Sequence, residues 1–383
     1  VNMNYIKRNT CVITGRKDLE FLYKLPNFPV FIGCTDQEQE KDLFFDMEWS
    51  ISKGSGVIQL AKLLPLDVVY PGFHSEAIGG VWKRHCEQFS NFILKNSKGN
   101  SVVEMGGSNG ALAEFCLKKV NDIYNWKIVE PNPDPNYQPE NKKIEIIESF
   151  IEDQISIFSE SPIFIHSHVL EHLYNPLETL GYIANKQNNT DEMIFSIPDL
   201  YEYLKRKYVN SINFEHTYFL TEKVTDGLLK MLGYRVMNKR HFEGHSIFYY
   251  AQRAENSRDF SYSNEFYQEY KKMYLDMIDY YRKDAVILNE KMENFNGKVY
   301  LFGGHIFSQF LIYMGLKEKK IEAILDNSNE KNGKRLYGTG LYVFNPSIIE
   351  DESQVLVIVK AGRYSNEIEG QLRDINNNIV IYT

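Results

Sequence analysis

The ten residues Ser101-Val-Val-Glu-Met-Gly-Gly-Ser-Asn-Gly110 constrain this chain more than any other stretch. Val102 and Val103 lead into Glu104, glycines follow at 106, 107 and 110, and Ala111-Leu-Ala-Glu-Phe115 has helical character. That order predicts a buried strand, a tight turn and a helix start. Glycine matters there because a residue without Cβ lets backbone N–H groups close on a ligand. A carboxylate at the strand tip argues against a phosphate ligand, and without a Gly-Lys-Ser/Thr ending a nucleotide-triphosphate loop is excluded. The Gly-x-Gly-x-x-Gly fingerprint is also missing, which disfavours a nicotinamide dehydrogenase. Glu104-x-Gly106-Gly107-x-Asn109-Gly110 suits S-adenosylmethionine instead, whose cationic amino-acid end fits an acidic, glycine-lined turn.

The rest of the chain supplies a frame for that turn. Its 383 residues, 43% hydrophobic and 25% charged, are those of a globular protein with two or three domains. A net charge of −8 favours neither nucleic acid nor an anionic membrane as partner. No apolar signal or membrane-spanning run is evident, and Cys11, Cys34, Cys86 and Cys116 have no paired spacing, so a cytoplasmic protein with reduced thiols is expected. Residues 1–65 read as a small β-rich lobe, with strands at Phe28–Ile32 and Val57–Leu60. An amphipathic helix through Trp82, Phe89 and Ile93 follows the Tyr70-Pro-Gly-Phe-His74 stretch. From 99 to about 255 strands and helices alternate, predicting an α/β domain spanning 66–255 on a mostly parallel sheet. Its strands are expected at Val102, Trp126–Glu130, Ile144–Ile147, Ile163–Ile165, Met193–Pro198, Tyr234–Val236 and Ser246–Tyr250. Residues 256–297 read as a helical connector with one long helix or two shorter ones, and 298–383 as a second, Rossmann-like unit.

In such a sheet ligands bind beyond the carboxyl ends of the strands, where Glu104, Glu130, Ser149, Phe150 and His168 all fall. Glu130, at the tip of the next strand, is placed to accept ribose hydroxyls. Of nine histidines, His166, His168 and His172 cluster after the fourth strand, and His216 sits in Phe214-Glu-His-Thr-Tyr218. Glu215 beside His216 suits proton abstraction near neutral pH. The His-x-His and His-x-x-x-His spacings do not by themselves complete a three-ligand metal set, so no metal is expected.

Glu104-Met-Gly-Gly-Ser-Asn-Gly110, His168-Val-Leu-Glu-His172 and Phe214-Glu-His-Thr-Tyr-Phe219 resemble the sugar C-methyltransferases that act on nucleotide-linked deoxysugars. Leu301-Phe-Gly-Gly304 and Asp326-Asn-Ser-Asn-Glu-Lys-Asn-Gly-Lys-Arg-Leu-Tyr-Gly-Thr-Gly340 resemble that family's terminal domain. The resemblance implies a class I methyltransferase Rossmann-like domain between a small lobe and a terminal Rossmann-like domain, with a sugar nucleotide in the cleft. It also implies His216 as catalytic base, Glu215 as its neighbour, His172 as a second active-site histidine and Tyr70 as a contribution from the amino-terminal lobe.

Three departures stand out. The family's amino-terminal lobe holds zinc through two Cys-x-x-Cys pairs, which read here as Cys11-Val-Ile-Thr14 and Ser52-Lys-Gly-Ser55. Hydroxyls are poor zinc ligands, so the lobe is expected to fold without metal. Asn213 stands where the family has a tyrosine, a weaker donor to a developing enolate oxygen. The family's His-Gly-Gly-Ser turn is Glu243-Gly-His-Ser246. The expectation is an S-adenosylmethionine-dependent methyltransferase of a nucleotide-linked sugar, in surface-polysaccharide or deoxysugar biosynthesis. Loss of the tyrosine tips the acceptor towards a hydroxyl oxygen over a carbon beside a ketone. The alternative from another class is a non-catalytic sugar-nucleotide-binding protein.

Overall fold

A computed structural model describes residues 4–70, 80–120, 123, 125–159, 163–254 and 264–383. The Pro-Gly-Phe-His continuation at 71–74 and the first residues of the connector, to 263, lie outside the described residues. In the amino-terminal lobe, Leu19–Pro29 (β1), Phe44–Ser52 (β2) and Ile58–Leu60 (β3) form an antiparallel sheet. The strand expected at Phe28–Ile32 is only the tail of β1, because the chain leaves the sheet after Pro29 and turns at Gly33 with φ +100°. β2 takes its place as the central strand and buries Met47, Trp49 and Ile51.

The positions of the two degenerate cysteine pairs carry one thiol and hydroxyls, a set poorly suited to zinc. The Cys11 thiol lies 3.4 Å from the Ser55 hydroxyl, and the Ser52 hydroxyl donates to Asp18 at 2.9 Å while accepting from Ser55 N–H at 3.2 Å. A closed thiol–hydroxyl–carboxylate network therefore joins the two turns that four thiolates would otherwise join.

The central sheet contains Ser101–Met105 (β4), Asn125–Glu130 (β5), Ile144–Glu148 (β6), Ile163–Ser167 (β7), Glu192–Pro198 (β8), Tyr234–Phe242 (β9) and Ser246–Arg253 (β10). Their order is β9-β10-β8-β7-β4-β5-β6, and β10 alone runs antiparallel to its neighbours. This mostly parallel α/β sheet has the strand order of a class I methyltransferase. Parallel register sets Glu104 opposite both Ile128 and Ile165, so the ends of β4, β5 and β7 open on one edge. The helix Gly80–Asn96 (α1) packs Val81, His85, Phe89, Phe92 and Ile93 inward, with Phe89 and Phe248 ring centroids 5.0 Å apart. Ala111–Leu117 (α2) starts directly after the glycine turn.

The connector is one 30-residue helix, Asn264–Glu293 (α3), which buries Tyr270, Tyr274, Met277 and Tyr281. Beyond it, Lys298–Phe302 (β11), Ala323–Leu325 (β12), Val343–Phe344 (β13), Val355–Val359 (β14) and Val380–Tyr382 (β15) form a parallel sheet in the order β13-β12-β11-β14-β15. That is the Rossmann order expected of this unit. The amino-terminal lobe is bound to it. Residues Cys34–Thr35 pair with Arg335–Leu336, and the buried Arg335 guanidinium grips Asp42 through both nitrogens at 2.6 and 2.7 Å. Breaking such a buried bidentate pair by removing one partner costs about 3–5 kcal/mol. Among the described residues no helix is long and apolar enough to cross a membrane.

Candidate active site

The glycine turn closes over a buried acid. Gly106 (φ +69°), Ser108 (φ +46°) and Gly110 (φ +65°) adopt left-handed conformations that reverse the chain between β4 and α2. A Cβ on Gly106 would meet Val169 Cγ2 at 2.5 Å, and one on Gly107 would meet Ile128 Cγ2 at 2.6 Å. Glycine is required at both positions because Val169 and Ile128 pack directly against the turn backbone. Glu104 lies beneath Gly107, 2% exposed, with the Trp126 indole N–H donating to its carboxylate at 2.7 Å. Burial pushes the carboxyl up to about 7, against the opposing pull of that hydrogen bond. Glu130 accepts from Ser108 N–H at 3.1 Å and from Asn132 N–H at 3.0 Å, so one carboxylate ties down two turns. Two of its roughly four lone-pair positions are used, which leaves capacity for hydroxyl donors. Asn109 is exposed, its side-chain oxygen accepting from Ala111 N–H at 3.3 Å. Ser149 N–H donates to the Glu130 carbonyl at 3.3 Å, and the Phe150 ring stands 45% exposed beside it. The backbone N–H groups of the turn, the Glu130 carboxylate and the buried Glu104 carboxyl thus lie together at the carboxyl ends of β4 and β5.

A second group of side chains faces the turn across Val169. After β7 the chain passes through His168 (φ +53°) into a single 3₁₀ turn, Leu170–His172. The loop carrying His216 is stitched to that turn, with Thr217 N–H donating to the Glu171 carbonyl at 3.0 Å. The same loop pairs with β3, where Leu60 N–H meets the Thr217 carbonyl at 2.9 Å and Phe219 N–H meets the Ile58 carbonyl at 2.8 Å. The amino-terminal sheet thereby positions His216. Arg8 completes the clamp by donating to the Thr217 carbonyl at 2.8 Å and the Tyr174 carbonyl at 2.6 Å.

Within this frame the Tyr70 hydroxyl lies 2.8 Å from His172 Nδ1, and the His172 and His216 ring centroids are 4.7 Å apart at 73°. Burial, and then the neighbouring His172, hold His216 well below its ordinary value, so its ring is neutral near pH 7. Burial raises the Tyr70 hydroxyl well above the ordinary phenol range, with the Glu215, Glu171 and Glu130 carboxylates adding to the effect. The turn, the 3₁₀ segment and the His216 loop therefore converge on one place.

Two expected residues have other partners here. Asn213 accepts from His216 N–H at 2.7 Å and Glu215 N–H at 3.0 Å, while its amide donates to the Asn210 carbonyl at 3.0 Å. It shapes the loop. His168 meets the Ser246 hydroxyl at 2.8 Å and stacks edge-on with Trp82 at 4.9 Å, with its Nδ1 3.5 Å from Glu171 Oε1. His166 is separate from both, buried in the sheet and stacked on Phe195 at 4.7 Å.

The residue that sequence reasoning passed over is Glu171. It is fully buried, neither carboxylate oxygen has a hydrogen-bond partner, and burial pushes it up to about 8. Its signal was present in His168-Val-Leu-Glu-His172, where an acid directly precedes a histidine in a turn after a strand. Spacing could not show that His216, 44 positions beyond His172, completes a group of three potential ligands whose donor atoms lie within 4.8 Å of one another.

Comparison with known proteins adds a family for the last third of the chain. Residues 241–381 match the C-methyltransferase C-terminal domain. No curated protein matches the sequence. Among solved structures, an O-methyltransferase family protein from Burkholderia thailandensis aligns at 12% identity over 45% of this chain and 56% of its own, with a TM-score of 0.34. The chain thus spans little more than half of that protein. An S-adenosylmethionine-dependent methyltransferase described as putative, from Listeria monocytogenes, aligns at 10% identity over 45% of this chain and all of its own, with a TM-score of 0.38. The CurJ carbon methyltransferase aligns at 14% identity over 46% and 56%, with a TM-score of 0.35. The matched terminal domain and the strand order of the central sheet agree with the methyltransferase fold expected from the sequence.

Proposed function

We propose that the protein methylates a hydroxyl oxygen of a nucleotide-linked sugar. The observation that carries this reading is the pairing of two imidazoles, His172 and His216, beside the acidic glycine turn. S-adenosylmethionine, when bound, supplies an electrophilic methyl, its S–C bond breaking with the electron pair returning to sulfur as the acceptor O–C bond forms. Glu130 would hold its ribose, and the Gly106–Gly110 backbone its amino-acid end. His216 would take the hydroxyl proton on an unprotonated ring nitrogen, with Glu215 beside it and Tyr70 orienting His172.

Oxygen is favoured over carbon because an enolate needs a donor aimed at its oxygen. One Asn213 amide N–H is held by the Asn210 carbonyl and the amide oxygen by the loop N–H groups of Glu215 and His216, which turns this side chain into its own loop, and the Tyr70 hydroxyl pairs with His172. The matched C-methyltransferase terminal domain favours the second reading, methylation of a carbon beside a keto group. That domain and its Rossmann-order sheet also support a nucleotide-linked acceptor. The test is a screen of sugar nucleotides with ¹³C-methyl-labelled cofactor, read by NMR. A methoxy signal is expected, and a C-methyl signal would replace this reading with the second. His216→Ala should lower turnover by about 10²-fold or more, and near-normal turnover would remove His216 from the site.

A further inference from the structure

We propose that Glu171, His172 and His216 bind one divalent first-row transition cation at the acceptor end of this site. The inference rests on the proposed methyltransferase reading and refines it, because with the cation bound His216 is a ligand and not the proton acceptor.

Three observations support it. The first is proximity. One donor atom from each residue lies within 4.8 Å of the others, against about 3.4 Å between ligands around a tetrahedral zinc with bonds near 2.1 Å. Small side-chain rotations close that gap. The second is an unmet need. Both Glu171 oxygens and His216 Nδ1 are buried without a hydrogen-bond partner, and such groups are rare unless something else satisfies them. The nearest ring nitrogen, His168 Nδ1, lies 3.5 Å from Glu171 Oε1 and belongs to a histidine that burial keeps neutral, so it brings no positive charge. The third is support behind the ligands. Tyr70 fixes His172 through Nδ1, and Asn213 fixes the backbone of His216. Hydrogen-bonded partners of this kind are what orient metal ligands.

Two imidazoles and one carboxylate select zinc, manganese, iron or cobalt over magnesium and calcium, which prefer all-oxygen sets. Three protein ligands leave a position open for an acceptor oxygen. A hydroxyl coordinated there loses its proton to water far more readily than a free one. The site is distinct from the degenerate zinc position near Cys11, which holds the only cysteine of its four positions.

Titration of chelator-stripped full-length protein with Co²⁺, followed by visible absorption, tests this. One equivalent should bind with d–d bands of nitrogen–oxygen coordination and no sulfur charge-transfer band. Glu171→Gln and His216→Ala should weaken binding by about 10²-fold or more, and Tyr70→Phe by about 10-fold, while Cys11→Ser leaves it unchanged. A folded Tyr70→Phe protein keeps the test valid if a ligand variant fails to fold. No Co²⁺ binding, binding indifferent to Glu171→Gln and Tyr70→Phe, or a sulfur band lost in Cys11→Ser would each overturn the proposal. Calorimetry with S-adenosylmethionine separates the two readings. Cofactor binding without Co²⁺ binding removes the cation alone, and absence of cofactor binding removes the methyltransferase reading.

Discussion

Substituting Glu171 by Gln should change how stability depends on pH, and the structure sets the size of that change. The Glu171 carboxyl rises from 4.5 to about 8 on folding because it is fully buried. Below its unfolded value the group is protonated in both states and contributes nothing to the pH dependence. Between the two values the unfolded chain releases the proton while the folded chain keeps it, so stability falls as pH rises. Above about 8 the whole penalty is present. At about 1.4 kcal/mol per pH unit the ceiling is about 5 kcal/mol, and side-chain relaxation and water penetration bring it to roughly half. Glutamine has the same shape and no ionisation. Its amide brings its own unmatched donors, but that offset does not vary with pH. Glu104, raised to about 7, contributes equally to both proteins and cancels in the difference. The assay is thermal unfolding of chelator-treated wild type and Glu171→Gln across the range from acid to mildly alkaline pH. The melting-temperature difference should grow in favour of the glutamine variant by about 3 °C as pH rises, at roughly 2.1 cal/mol/K of unfolding entropy per residue over 383 residues. Parallel curves would refute the reasoning, because they would mean that Glu171 already has a stabilising partner in the folded protein.

Two further outcomes follow from the same geometry. Gly106→Ala places a methyl against Val169 at a left-handed residue and should weaken S-adenosylmethionine binding at least about 10-fold by calorimetry, with the central sheet intact by circular dichroism. Arg8→Met removes the donors to the Thr217 and Tyr174 carbonyls. It should lower stability by about 2–3 kcal/mol and slow turnover as the His172 and His216 segments lose their shared anchor, whereas unchanged denaturant midpoint and kcat would show that β3 pairing alone holds the loop.

The central sheet was legible because its strands are runs of apolar, largely β-branched residues with no rival reading. Val102-Val103 and Ile163-Phe-Ile165 are hydrophobic on both faces, as buried parallel strands must be. The amino-terminal lobe was less so. β2 reads Phe-Phe-Asp-Met-Glu-Trp-Ser-Ile-Ser, an alternation that buries Met47, Trp49 and Ile51 and turns Asp46 and Glu48 to Lys24 and Lys62 at 2.5 and 2.6 Å, a period-two signal the sequence reading overlooked. At the site, the turn residues could be read locally because each acts through its own backbone. Glu171 could not, since its isolation depends on what does not reach it. Arg8 escaped notice for a related reason. A lone arginine near a chain end has no local pattern, and its partners are carbonyls more than 160 positions away. His166 gives the opposite lesson. It lies in the same sequence cluster as His168 and His172, yet its ring fills the sheet core beside Phe195.

The most direct test of the account is a crystal structure with S-adenosylhomocysteine bound. It should show the ribose hydroxyls on Glu130, the amino-acid end over Gly106–Gly110, and the thioether sulfur facing the space between His172 and His216. A cofactor seated elsewhere, or with its sulfur turned away from both imidazoles, would contradict the account.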